Sequence, residues 1–106
     1  MGLTYDPEEA RRSPVDPVTG MQEKYVVLSD EERAKGFVRP VRTQYVHDLG
    51  LGGCGSVTWM NIAFAETYAR QPDYYTGTYC AGCKAHFPVG KKGQFYWDGT
   101  DEKVGT

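Results

Sequence analysis

Long apolar runs are missing from this sequence. Nothing in its 106 residues approaches the roughly 18 consecutive apolar side chains of a membrane-spanning helix. The first 20 residues lack the apolar centre of a secretory signal. Met1-Gly2-Leu3-Thr4-Tyr5-Asp6 lacks the Ser or Thr of a myristoylation site. The expectation is a cytoplasmic protein with no membrane partner. An excess of one charge is missing too: 12 basic groups face 14 acidic ones, for a net of −2. That balance removes the general electrostatic case for nucleic acid. It is unevenly laid out, however. Residues 1–32 carry three basic and eight acidic groups, whereas residues 33–47 carry Arg33, Lys35, Arg39 and Arg42 and no acid.

Aliphatic bulk is scarce and aromatic bulk is not. Hydrophobic residues make up 40% of the chain and aromatic ones 13%, with eight tyrosines among them. A covalent or metal staple would help a single small domain with so thin and ring-rich a core. Catalytic groups are equally sparse. There are two histidines, no Ser/His/acid set stands out, and "GLGGCG" (50–55) lacks the Lys-Ser/Thr ending of a phosphate loop. A protein without enzymatic activity is expected.

What the sequence does have is Cys80-Ala-Gly-Cys83. Three cysteines cannot all pair within one chain, and a reducing compartment keeps them as thiols. A Cys-x-x-Cys turn presents two sulfurs to one ion, and zinc then takes two more ligands from a second turn. The segment 41–46, VRTQYV, alternates apolar and polar residues as a half-buried strand does. It runs into His47, and a glycine-rich loop leads from there to Cys54. His-x6-Cys facing Cys-x2-Cys, each on a strand–turn–strand element, is the arrangement of a zinc ribbon. It assigns His47, Cys54, Cys80 and Cys83 as ligands of a structural Zn2+, with His86 as the competitor for the fourth position. Four protein ligands leave no open site for water or substrate. A thioredoxin-like reading is the less favoured alternative, because His86, Pro88 and Gly90 leave little room for the helix that must follow. A deaminase reading fails because His47 is followed by Asp48-Leu49, without the required glutamate.

Around this frame the chain divides into an acidic, proline-rich arm (1–22) and a zinc-ribbon-like domain (23–106). The arm holds one short helical turn with Asp6 as cap, Pro7 at its first position and Glu9 reaching back. Such an arm is either a solvated tail or a segment held by a partner. In the domain, strands are expected at 24–28, 41–46, 56–58, 76–79 and 94–97. A capping box, Ser29-Asp30-Glu31-Glu32, opens a short helix that Gly36 stops. The main helix is expected over 59–70, WMNIAFAETYAR, with Ala63, Glu66, Thr67 and Arg70 on its polar face. Ile62, Phe64, Ala65, Tyr68 and Ala69 form its apolar face. The fold class is α+β: a small zinc-ribbon-like antiparallel sheet, one main packed helix and an extended N-terminal arm.

Three stretches, "EERAKGFVRPVRTQYVH" (31–47), "GCGSVTWMNIAFAETYARQPDYYTGTYCAGCKAHFPV" (53–89) and "FYWDGTDEKVG" (95–105), resemble small uncharacterised zinc-ribbon-like proteins encoded by tailed bacteriophages. The resemblance covers about residues 30–105, through the Cys/His frame and the "AETYAR" helix, and implies a phage origin and a metal-stabilised fold. The leading functional expectation is a protein-interaction or virion accessory component, cementing or decorating, whose arm engages capsid or tail proteins. Its place is the host cytoplasm or the virion itself. One alternative is a nucleic-acid-binding ribbon using Arg33, Lys35, Arg39 and Arg42 as a phosphate track, with Tyr45 or Trp59 for stacking. A second is an inhibitor that binds a host protein.

Overall fold

The computed structural model describes residues 2–106. In chain order the elements are β1 (Gly2–Thr4), α1 (Pro7–Arg12), β2 (Lys24–Val26), α2 (Asp30–Arg33) and β3 (Gln44–His47). A 3-10 turn (Leu49–Leu51) follows, then β4 (Val57–Trp59), α3 (Ile62–Arg70), β5 (Gly77–Cys80), β6 (Ala85–Pro88) and β7 (Phe95–Trp97). The class is α+β. Its centre is an antiparallel sheet ordered β4–β3–β7, in which Tyr45 stands opposite both Thr58 and Trp97. An antiparallel hairpin, β5–β6, carries the Cys-x-x-Cys turn, and β1 pairs in parallel with β2.

Rings fill the core, as the shortage of aliphatics requires. Tyr45, Tyr68, Cys80, Phe95, Trp97 and Val104 form one buried cluster. Tyr45 meets Phe95 edge to face at 5.2 Å, and Tyr68 meets Trp97 the same way at 5.6 Å. Such contacts add about 0.5–1.5 kcal/mol each beyond the area they bury.

The local signals for α2 act as expected: Ser29 accepts from the Glu32 N–H at 3.2 Å, and Gly36 follows at φ 109°. Helix α3 differs in two ways. It starts at Ile62 rather than at position 59, because Trp59 completes β4 and Asn61 caps the helix by accepting from the Ala63 N–H at 2.8 Å. It is also buried on two sides. Thr67 and Ala63, expected on the polar face, are buried, whereas Ile62 is exposed. The cause is the chain passing beside it. The Leu28 N–H donates to Thr67 Oγ1 at 3.2 Å, Thr67 Oγ1 donates to the Ala63 carbonyl at 2.7 Å, and Arg33 pairs with Glu66. Strand β6 is the return strand that the strand–turn–strand reading of Cys-x-x-Cys requires, at bounds the sequence pattern did not assign. The Cys-x-x-Cys turn is tight enough to return the chain directly onto β5.

Residues 2–22 lie against the rest of the chain. Asp6 accepts from the Glu8 N–H at 3.0 Å with Pro7 at the first helical position. Glu9 does not reach back to the cap. It bonds to Lys24 on β2, and the Asp6 N–H instead donates to Thr4 Oγ1 at 3.1 Å. Further along, the Tyr79 hydroxyl donates to the Thr19 carbonyl. Gly20, at φ 77°, sits so close to the Lys84 carbonyl that an added Cβ would lie 2.0 Å from its oxygen.

Candidate metal centre

The two halves of the centre are built by different elements. Strand β3 ends in His47, whose N–H donates to the Ser56 carbonyl at 3.2 Å while its carbonyl accepts from the Gly55 N–H at 2.8 Å. Between these bonds the chain makes the 3-10 turn capped by Asp48 and swings Cys54 back over the His47 ring. Gly53 is required there, because a Cβ would lie 2.6 Å from the ring. Strand β5 delivers Cys80, and the turn closes with the Lys84 N–H on the Cys80 carbonyl at 2.8 Å. Lys84 at φ 55° makes the return possible. Gly82 fits where no side chain could, since its Cβ would lie 2.7 Å from Cys54 Sγ. The halves are tied together by the Ala81 N–H donating to Thr58 Oγ1 at 3.1 Å.

One potential ligand atom from each of His47, Cys54, Cys80 and Cys83 lies within 4.8 Å of the other three. Cys54 Sγ is 3.4 Å from Cys80 Sγ, and Cys83 Sγ is 3.5 Å from His47 Nδ1. A disulfide holds its sulfurs about 2.05 Å apart, so these are free thiols. A tetrahedron with bonds of about 2.3 Å has edges near 3.8 Å, and the observed separations fall around that value. The donor set, one imidazole and three thiols, therefore fits a tetrahedral ion that favours nitrogen and sulfur.

Histidine orientation supports the same use. His47 is buried between Phe95, stacked at 4.8 Å, and Phe87 at 4.4 Å. Its Nε2 lies 2.8 Å from Gln94 Oε1. An amide oxygen only accepts, so Nε2 carries the proton and Nδ1 is the unprotonated nitrogen, accepting from the Cys54 N–H at 3.4 Å beside Cys83 Sγ. This is the outer-shell hydrogen bond that fixes tautomer and ring angle in metal-ligating histidines. Gln94 had no counterpart in the sequence reading, because only the pairing of β3 with β7 brings it beside His47.

Without a cation the thiols disagree about ionisation. The Ser56 side chain and backbone pull Cys54 down to about 6. Partial desolvation, and then the thiols of Cys54 and Cys80, push Cys83 up to about 11. One thiolate forms readily and opposes the next at such short range. A bound dication removes that conflict.

His86 is placed elsewhere. Strand alternation turns Phe87 toward His47 and sends His86 to the opposite face of the hairpin. There its Nε2 shares a hydrogen bond of 2.8 Å with the Tyr25 hydroxyl.

The basic segment is largely engaged within the molecule. Arg33 pairs with Asp30 and Glu66, and Lys35 pairs with Glu32. Arg42 pairs with Glu102 and lies over the Trp97 ring. Arg39 donates to the carbonyls of Val38 and Thr106. Tyr45 is in the core, while Trp59 is exposed. Among the described residues no helix is long and apolar enough to cross a membrane.

No family model, curated protein or solved structure matches this chain.

Proposed function

We propose that His47, Cys54, Cys80 and Cys83 hold one zinc ion as a structural staple. The observation that carries this reading is the convergence of the four side chains, with His47 held by Gln94 in the tautomer that leaves Nδ1 unprotonated on the side of the cysteines. Zinc suits the set best because thiolate and imidazole together select it over hard cations. With all four positions taken by protein, the ion supplies folding free energy rather than a site for water.

On that basis the protein is a non-catalytic interaction protein. The resemblance of residues 30–105 to phage-encoded ribbon proteins favours an accessory role on capsid or tail. The nucleic-acid alternative is less favoured, since three of its four basic side chains already have acidic partners.

Treatment of the purified protein with a strong chelator tests the staple. Loss of far-ultraviolet dichroism as zinc leaves, and its recovery on adding zinc back, is the expected course. A protein that keeps its fold and its melting temperature after metal removal would contradict it.

A further inference from the structure

The central sheet has two edges, and they are treated differently. Beyond β7, the segment 102–104 covers the edge: the Trp97 N–H donates to the Glu102 carbonyl at 2.9 Å and the Val104 N–H to the Phe95 carbonyl at 3.1 Å. Beyond β4, among the described residues, no strand is paired. The parity of the ladder shows which groups are free there. Met60 N–H donates to the Thr43 carbonyl, and His47 N–H to the Ser56 carbonyl. Asp98 and Asp48 donate to Gln44 and Gln94 across the other side of the sheet. Residues 56, 58 and 60 therefore face β3, and Val57 and Trp59 turn their backbone N–H and C=O groups outward.

An open edge is ordinarily blunted by a charge, a proline or a bulge. None of these protects this one: from Leu49 to Ala65 there is no charged side chain, and Ser56–Met60 contains no proline. The side chains around it are apolar and exposed, with Trp59 at 70% and Leu49 at 71%, and Val57 and Ile62 somewhat less.

We propose that this edge pairs with the same edge of a second copy, joining the two three-stranded sheets into one. The occupant follows from self-complementarity. An antiparallel partner centred on Thr58 sets Val57 opposite the partner's Trp59 and Trp59 opposite the partner's Val57. Each pair then exchanges both of its outward backbone hydrogen bonds. The same register gives an aromatic–β-branched pair on the outer face, which stabilises sheets. Leu49 packs over Gly55 at one end of β4 and Ile62 follows its other end, so the pairing brings each toward the other's counterpart. With no charge on the edge, nothing repels an identical strand. This inference rests on the sheet and goes beyond the metal reading.

Sedimentation velocity of the metal-loaded full chain over a range of concentrations tests it, with Trp59→Lys and Val57→Pro beside wild type. The wild type should form a species of twice the 11.9 kDa chain mass. Both variants should weaken it by at least about tenfold, one by adding a charge and the other by deleting an outward N–H that the monomer does not use. Zinc content measured on the same samples separates failure of the pairing from failure of the metal site. Hydrogen exchange gives a readout that needs no variant: the Val57 and Trp59 amides of wild type should be protected at high concentration and exposed at low. A wild type that stays monomeric would overturn the inference, as would a dimer indifferent to both substitutions or equal exchange at both concentrations. A monomer that instead captures an extended peptide at β4 would also overturn it.

Discussion

At the scale of single residues, Cys80-Ala-Gly-Cys83 advertises itself, and the glycines around Cys54 mark a loop that must approach something closely. Gly53 and Gly82 show what that is, the His47 ring and the Cys54 sulfur. The choice between His47 and His86 was less legible, because both stand near the cysteines in sequence. It depends on which face of β6 looks inward, and that depends on the register of a return strand whose bounds no local pattern marks. Gln94 was invisible for a related reason, since no local pattern links a residue at 94 to one at 47. Its role gives a sharp expectation. Gln94→Ala leaves all four ligands in place but frees the imidazole, and zinc affinity should fall by about 10–100-fold in a competition titration with a chromophoric chelator. An unchanged affinity would make the Gln94 hydrogen bond incidental.

At the scale of elements, helix α3 teaches the most. Its 3.6-residue period correctly put Ala65, Tyr68 and Ala69 inside. It put Thr67 outside, because a threonine reads as polar until a partner is known. The partner is the Leu28 N–H, from a segment 39 residues earlier. Replacing Thr67 with valine keeps the shape and removes the acceptor, leaving that N–H unpaired beside the helix. The expected cost is about 1–3 kcal/mol, read as a lower midpoint in urea or heat denaturation with zinc content unchanged. A variant as stable as wild type would show that the Leu28 N–H finds water instead. The shortened start of α3 has an equally local cause: Trp59 and Met60 serve the sheet before Asn61 can cap the helix.

At the scale of the whole molecule, a ring-rich core does much of the work that aliphatic packing does elsewhere, and the proposed zinc staple would share it. The rings carry a pH dependence. Burial pushes the Tyr45 hydroxyl up to about 12, and burial likewise raises Tyr68 and Tyr75. The unfolded chain releases these protons near pH 10, whereas the folded chain keeps them. The folded state then holds more protons, so stability is complete below about pH 10 and declines as pH rises toward 12. The slope is about 1.4 kcal/mol per pH unit for each buried tyrosine involved. Melting temperatures taken between pH 8 and about 11 should fall steadily above 10, and a flat profile would place these hydroxyls in water. The acidic arm, expected as a solvated or partner-held segment, packs on the molecule's own hairpin through Gly20 and Tyr79, a long-range contact that composition alone could not disclose. The central claim, however, concerns the staple, and elemental mass spectrometry of the purified protein tests it most directly, with Cys54→Ser and His47→Ala beside wild type. One zinc per wild-type chain, lost together with folding in both variants, is the predicted result. Wild-type protein that folds with no metal, or full zinc occupancy in His47→Ala, would contradict the account.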